Sequence, residues 1–585
     1  MRLLLYRHIP EDDDFRQQWS HLVHAMESPA VFYTWEWALA VARAYASTTQ
    51  PLLFAAYRDQ QLVGIATFDC DMTSRKVWFL TASTADYCDF ISAPHDRAEF
   101  IEAVVGELRK MGIAEFRLAN LPADSASVAV LELVAGNCGY SIFARPAYLC
   151  AQVSFESSEA RQKIGLDVRN KLKRTAKVLS AVGRITVEYS GTWDQFTAEF
   201  SRYSSAHVAR FLATDRISNL ISRQRRAFLC DLARLLSEQG WLAFSTLKLE
   251  GRTVAWNYGF RFAGTWFWYQ PAFDPELQRF SPGAHLLCEI LRQASEDTET
   301  SIVDMGLGDE GYKARFANGG RQILNITASR SRRRKAWESS RYRAAELVKR
   351  SPGLERRLRR SRAQISVFRK RIATTGFADC GRFYFSRFMR YFFNAARVYF
   401  FEWNATQILD SDPQVSLQPL SIALLASAAM AYENEHEIEE YLLRSARMHS
   451  GGAEGFALIN SEGVPVHFCW IAPFNGFRLE ELGQVLQEPE ADSVLLFDSW
   501  TPPSLRGRGY YTQCISLVAS HLLNKGKHPW TFSTAAPSSS FRGIQRAGFV
   551  PRFSLLRKKR LHLDRISKLE FTGTGSTMLD LNPAA

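Results

Sequence analysis

Residues 1–330 run twice through one order of elements, helix, hairpin, strand, and a duplication of this kind limits the fold more than any single motif does. In the first pass VFYTWEWALAVARAY (31–45) has helical spacing. PLLFAAYRDQQLVGIATFDCD then makes two apolar runs about a turn at Asp59-Gln60-Gln61, and KVWFLTASTADYCDFI continues the chain. In the second, a helix from Trp193 leads into WLAFSTLKLEGRTVAWNYGFRF, turning at Glu250-Gly251. The strand TWFWYQPAF, the turn DPELQRFSPG and a helix over 284–295 complete it. The pattern predicts two copies of one α/β unit side by side, over 1–155 and 156–329. The aromatic series Trp256, Tyr258, Phe260, Trp266 and Trp268 alternates as sheet core does, and His207 and His285 read as structural histidines.

At 585 residues the chain exceeds what one core holds. Its charge marks the boundary between larger units. Residues 330–371 contain seventeen Lys or Arg and three Glu, a net +14 against +12 for the whole chain. This stretch, broken at Ser351-Pro352-Gly353, reads as a solvated, partly helical linker over 330–395, with contact to anionic lipid headgroups or RNA phosphates as the sharper alternative. Beyond it, residues 382–403 interleave Arg387, Arg390 and Arg397 with Phe and Tyr, as an interfacial helix or one running into a core strand would. Nine scattered cysteines without a CxxC pair fit free thiols in a reducing compartment and predict no metal site. The acidic start after MRLLLYRHIP and the short apolar run before Tyr432 predict a cytoplasmic protein.

The C-terminal unit, 396–570 before a disordered tail over 571–585, reads as a strand, a helix over 421–432 and a helix over 433–448. Two strands joined at Ser461-Glu462-Gly463 follow, then a central strand, 493–500. The stretch Arg506-Gly507-Arg508-Gly509 stands between that strand and a helix over 511–523, with strand 528–534, helix 538–546 and strand 549–561 beyond. A strand passing through a glycine turn into a helix offers unpaired backbone N–H groups to a phosphate.

These residues resemble the GCN5-related N-acetyltransferase (GNAT) family. Arg506, Gly509 and, imperfectly, Tyr511 fall on its R/Q-x-x-G-x-G/A motif, and Ser540, Arg542, Gly548 and Phe549 on a later family pattern. The resemblance implies acetyl-CoA or another acyl-CoA, its pyrophosphate on the amides of Arg506, Gly507, Arg508, Gly509, Tyr510 and Tyr511, and its thioester along the strand that ends near Trp500. Tyr511 replaces a small residue, Pro537 a frequent Asn, and Ile544 a frequent acid Tyr. Asp498 is a candidate base for the attacking amine, and equally a turn residue.

Residues 20–325 resemble the CelD-type acetyltransferase family, related to the FemAB peptidyltransferases. The resemblance rests on Trp35-Glu36-Trp37, Asp86-Tyr87, Asp89-Phe90, Tyr269-Gln270-Pro271, Arg279, Ser281-Pro282-Gly283, Gly308-Asp309-Glu310 and Tyr312-Lys313. It implies GNAT-like halves with mixed, mostly antiparallel sheets flanked by helices, and a role in exopolysaccharide or cellulose synthesis. Ser281 and Gly283, with Arg279, are a second candidate phosphate turn, and equally a plain helix start. Asp304, Asp309, Glu310 and Tyr312 are candidate acid–base residues, and Tyr269 and Gln270 candidate partners of the cofactor's pantetheine. The function expected is N-acyl transfer to an amine, or less often a hydroxyl, of a cell-surface polysaccharide component. Aminoacyl-tRNA-dependent transfer and a non-catalytic scaffold are the alternatives; nucleic acid is not an expected partner.

Overall fold

The computed structural model describes residues 1–214, 216–308, 311–349, 393–404, 414–433, 441, 444, 448, 453–534, 539–560 and 563–571. The chain forms two compact units, residues 1–210 with 219–350, and 211–218 with 351–585.

In the first unit the elements follow in the order β1 (Arg2–Tyr6), α1 (Asp13–His24), α2 (Trp35–Ala44), β2 (Pro51–Arg58), β3 (Gln61–Asp71), β4 (Lys76–Phe79), β5 (Ile91–Ser92), α3 (Arg97–Lys110), β6 (Glu115–Pro122), α4 (Ser127–Asn137) and β7 (Ser141–Ser154). The second pass gives α5 (Ser158–Ser180), β8 (Ile185–Ser190), α6 (Trp193–Leu212), α7 (Arg223–Glu238), β9 (Leu242–Leu249), β10 (Arg252–Phe262), β11 (Thr265–Phe273), α8 (Pro282–Glu296), β12 (Ile302–Asp304) and β13 (Gly319–Ser329), with α9 (Arg332–Lys349) after it. Both hairpins turn in two residues at positive φ, Asp59 and Gln60 at 48° and 70°, Glu250 and Gly251 at 48° and 77°. That geometry matches the twist of the paired strands.

One mixed sheet runs β1-β2-β3-β4-β6-β13-β7-β12-β11-β10-β9-β8. The last strand of each half has crossed to the other: β13 pairs with β6 of the first half and β7 with β12 of the second, and the two pair with each other from Gly319↔Gln152 to Ser329↔Ser141. In both halves the fourth strand runs parallel to the strand after the next helix, β4 to β6 and β11 to β12.

Helix faces seal the halves against each other. Trp37 of α2, fully buried, meets Phe228 of α7 at 5.7 Å and Phe260 of β10 at 5.4 Å. Trp256, Tyr258, Phe260, Trp266 and Trp268 are all at most 3% exposed, so the alternating aromatics are core. In the second half α5 packs on α8 over Leu286, Leu287, Ile290 and Leu291. Helix α9, at the start of the expected linker, packs on β7 and β13; residues 350–392 lie outside the described residues.

The second unit contains β14 (Phe393–Trp403), β15 (Val415–Pro419), α10 (Ile422–Ala431), β16 (Glu454–Asn460), β17 (Pro465–Pro473), the short pair β18 (Arg478–Leu479) and β19 (Gln484–Val485), and β20 (Ser493–Trp500). After these come α11 (Tyr510–Leu523), β21 (His528–Ser533), α12 (Ser539–Arg546), β22 (Phe549–Arg560) and β23 (Leu563–Glu570). The sheet order is β15-β16-β17-β20-β21-β14-β22-β23. The strand that opens this unit thus lies between β21 and β22, antiparallel to both. Most of the helix expected over 433–448, and the tail beyond 571, lie outside the described residues.

Arg161 of α5 closes the far end of α8: its guanidinium donates to the carbonyls of Ala294 (2.9 Å), Ser295 (3.3 Å), Asp297 (2.7 Å) and Thr300 (2.9 Å). These carbonyls lie at and beyond the helix end, where no intrahelical donor reaches them. Arg161→Ala is expected to destabilise this corner by about 2 kcal/mol. Amide hydrogen exchange over 290–302 should accelerate more than tenfold while exchange in β2 and β3 stays unchanged; equal protection in both proteins contradicts the assignment.

Candidate functional sites

In the tandem unit the connection from β4 to α3 is strand only at 76–79 and 91–92; the rest is a loop held on β6. The side chain of Asn120 donates to the carbonyls of Ala82 (3.1 Å) and Ala85 (2.8 Å), and the Cys88 N–H donates to the Asn120 carbonyl (2.8 Å). Asn120 sits at φ 61°, a region asparagine tolerates better than most residues. The loop so pinned carries Asp86 and Tyr87 to the end of β12.

There Asp304 accepts three hydrogen bonds, from the Tyr87 hydroxyl (2.5 Å), Gln152 Nε2 (2.8 Å) and the Gly306 N–H (2.8 Å). Asp86 accepts one from the Leu307 N–H (3.4 Å). Gly306 lies between the carboxyls at φ 66°, and a Cβ there would stand 2.4 Å from Asp86 Oδ2, so only glycine fits. Lys313, 4% exposed, donates Nζ to the Leu307 carbonyl at 2.9 Å. Burial, and next the charge of Asp304, push the Asp86 carboxyl up to about 7, with the Lys313 cation opposing. Burial also raises Asp304, against the bonds it receives from Gln152 and Tyr87. The arrangement is a pair of buried carboxyls, both held above the ordinary carboxylate range.

Of the residues expected at this site, Asp304 is in the pair, and Tyr312 is half-buried beside it, its hydroxyl accepting from Trp268 Nε1 at 3.2 Å. Asp309 and Glu310 lie outside the described residues. Tyr269 and Gln270 both lie on β11. The Tyr269 hydroxyl donates to the Thr84 carbonyl, tying β11 to the first half, and accepts from Arg225 of α7 (2.7 Å). The Gln270 amide reaches Asn219 at 3.4 Å. Asp86, Tyr87, Gln152 and Lys313 were not among the expected site residues. Tyr87 and Asp304 are 217 positions apart, and only the shared sheet joins them.

Helix α8 opens at Ser281, φ 55°, with no side-chain cap, whereas α1, α2, α5, α7 and α10 have Asp, Thr or Ser caps. Its first-turn N–H groups are left for an anion, and the exposed Arg279, lying over Phe280 at 4.6 Å, stands on the same turn. Gly283 serves packing, since a Cβ there would stand 3.1 Å from the Phe273 ring. The matching helix of the first half, α3, likewise has no side-chain cap, but it starts among charged side chains: Asp96 pairs with Arg58, and the buried Arg97 pairs with Glu27 at 2.6 Å.

In the second unit β20 pairs in parallel with β21 only over 493–496. A bulge opposite Phe468 and Trp470 follows, with Asp498 at φ 44°. Asp498 lies 3.8 Å from Arg444, whose buried guanidinium stands 4.8 Å over Trp500. Trp500, expected beside a thioester, also stacks on Phe468 at 5.8 Å. Beyond it the turn Arg506, Gly507, Arg508, Gly509 is exposed; the glycines have φ 83° and 85°, open space where a Cβ would stand, and an uncapped α11 behind them. The turn is braced from below. Arg506 Nε donates to the Thr501 carbonyl (3.2 Å), and the Thr501 hydroxyl meets Nδ1 of His467 (2.7 Å), a fully buried imidazole that burial holds neutral, its pKa lowered to about 3. Tyr510 is half-buried. Tyr511 packs on Gly543, where a Cβ would come 2.8 Å from its ring, so the large residue at 511 is matched by a missing side chain on α12. The Ser540 hydroxyl lies 3.5 Å from that of Ser533, Arg542 is exposed, and Ile544 is core.

Residues 167–314 match a family model described as an acetyltransferase (GNAT) domain. No curated protein matches the chain. Among solved structures it is similar to FemX (10% identity, 56% of this chain and 97% of that chain covered, TM-score 0.40). It is also similar to the C-terminal domain of a putative lysylphosphatidylglycerol synthetase from Agrobacterium fabrum (12%, 56% and 94%, 0.38) and to a tandem GNAT protein of the clavulanic acid biosynthesis pathway (11%, 56% and 99%, 0.33). The matched segment runs from within α5 past the end of β12, so it is this part of the tandem unit that carries the likeness to a GNAT acetyltransferase domain.

Proposed function

We propose that the chain is an acyl-CoA-dependent N-acyltransferase, with acetyl-CoA as donor and an amine of a cell-surface polysaccharide component as acceptor. The observation that carries this reading is the carboxyl pair, Asp86 and Asp304, buried in the same unit as α8, a helix that starts without a side-chain cap. Acyl-CoA, when bound, supplies an acyl carbonyl with a good thiolate leaving group. The N–H groups at the start of α8 hold its pyrophosphate, with Arg279 adding charge. Asp86 takes the proton of the acceptor's ammonium group, and the Asp304 charge keeps Asp86 basic enough to do so. Lys313, at 4% exposure, offsets part of the pair's negative charge.

Arg506 to Tyr511 of the second unit offer a second place for a CoA pyrophosphate, on the same physical grounds. Asp498, paired with Arg444, is its candidate base. The basic stretch 330–371 supports peripheral attachment to an anionic membrane face; no helix among the described residues is long and apolar enough to cross a membrane.

CoA release by the full chain tests the reading. Asp86→Asn and Asp304→Asn should each lower kcat by about 100-fold or more. The wild-type kcat/KM should rise with pH through about 7, because Asp86 must lose its proton to act. The stability sign is opposite: a carboxyl whose pKa is raised favours the fold while protonated, and this contribution fades as pH climbs towards 7. Asp86→Asn, which mimics the protonated form, is therefore expected to raise the melting temperature at pH 8 while abolishing turnover. An unaltered rate in both variants, or turnover with aminoacyl-tRNA and none with acyl-CoA, overturns the reading.

At the second turn, Gly509→Glu should eliminate CoA binding there by setting a carboxylate where a phosphate belongs. Gly509→Ala meets open space and adds only left-handed strain of about 1 kcal/mol, so it should bind within severalfold of wild type. Calorimetry showing equal affinity in both variants removes this turn as a CoA site.

A further inference from the structure

Arg321 of β13 belongs to no step derived above. Its Nε donates to both oxygens of Asp124, at 2.9 and 3.1 Å, while its terminal nitrogens donate to no group among the described residues. The side chain is only 14% exposed, against 60% for its partner Asp124. Its guanidinium lies 5.1 Å over the ring of Tyr87, the residue whose hydroxyl holds Asp304. The Tyr33 hydroxyl, buried and without a hydrogen-bond partner among the described residues, lies within the electrostatic reach of Arg321 and Asp89.

A guanidinium has five N–H donors, and a carboxylate reached through Nε alone leaves the two-pronged end unused. That end is left free to meet an anion, and its planar fork fits a carboxylate or phosphate. Arg321 and Asp304 stand on the two sides of one tyrosine, so cationic and anionic recognition lie about one ring apart.

We propose that Arg321 reads an anionic group on the acceptor: the acceptor of the tandem-unit site carries a carboxylate or phosphate beside its amine, the amine meeting the Asp86–Asp304 pair and the anion the Arg321 fork. This rests on the reading of that pair as the base for acyl transfer.

Calorimetry on the full chain at pH 8 with two matched pairs of probes tests it: glucosamine 6-phosphate against glucosamine, and alanine against alaninamide. In one pair the anionic member should bind at least tenfold more tightly, and the pair that shows this names the anion. Arg321→Gln should erase the difference without changing affinity for the neutral member. Arg321→Lys, which keeps charge but not the fork, should keep only part of it, and Asp124→Asn, which removes the competing carboxylate, should preserve or enlarge it. Equal affinity within both pairs in the wild type, or an undiminished difference in a folded Arg321→Gln, overturns the inference. The measurement needs no turnover, so failure of the acyl transfer assay faults the base reading and leaves this result to stand by itself.

Discussion

The antiparallel ladder between β7 and β13 is the constraint on which the tandem unit depends. Each half lacks its own inner strand and takes the last strand of the other, so the hydrogen bonds of β6 are completed by β13 and those of β12 by β7. Neither half has a closed set of backbone partners alone. The exchange also fixes the chemistry. Because β6 and β12 are separated only by the exchanged pair, the loop anchored by Asn120 at the end of β6 faces the turn that follows β12, and Asp86 meets Asp304 there.

The two halves have diverged around that shared centre. Both place a helix after the fourth strand, the position where main-chain N–H groups are free. In the second half α8 begins uncapped from a left-handed serine. In the first, α3 begins at Asp96, whose carboxylate pairs with Arg58 and gives the helix no side-chain cap. The first half has instead given its loop, with Asp86 and Tyr87, to the common site. The second unit uses the first solution again, with two left-handed glycines in place of one serine and a neutral histidine bracing the turn from beneath.

Local features were legible in the sequence. The two-residue turns at Asp59-Gln60 and Glu250-Gly251 announce their hairpins, since apolar runs end at them and each holds one residue, Asp59 or Gly251, of a type that tolerates positive φ. Arg506-Gly507-Arg508-Gly509 likewise marks a strand-to-helix turn from its own composition. Asp304 was readable as a candidate because it follows a short apolar strand. Its partner was not: nothing in the residues around Asp86 says that they meet a turn more than 200 positions away. Tyr269 shows the same limit from the other side. Its sequence neighbours suggest a sheet face, but the adjacent half supplies the Thr84 carbonyl and α7 of its own half supplies Arg225, and the hydroxyl is used in joining the halves. Strand β14, which opens the second unit in sequence, lies inside its sheet, because the open slot there is between β21 and β22.

The central claim is that two carboxyls from different halves share one buried environment and set each other's proton affinity. Carboxyl 13C NMR of the aspartate-labelled full chain, followed against pH and assigned by the Asp86→Asn difference spectrum, measures this directly. The account predicts that the Asp86 resonance titrates near 7 and that its midpoint falls in Asp304→Asn, where the neighbouring charge is gone. A midpoint in the ordinary carboxylate range, the same in both proteins, contradicts it.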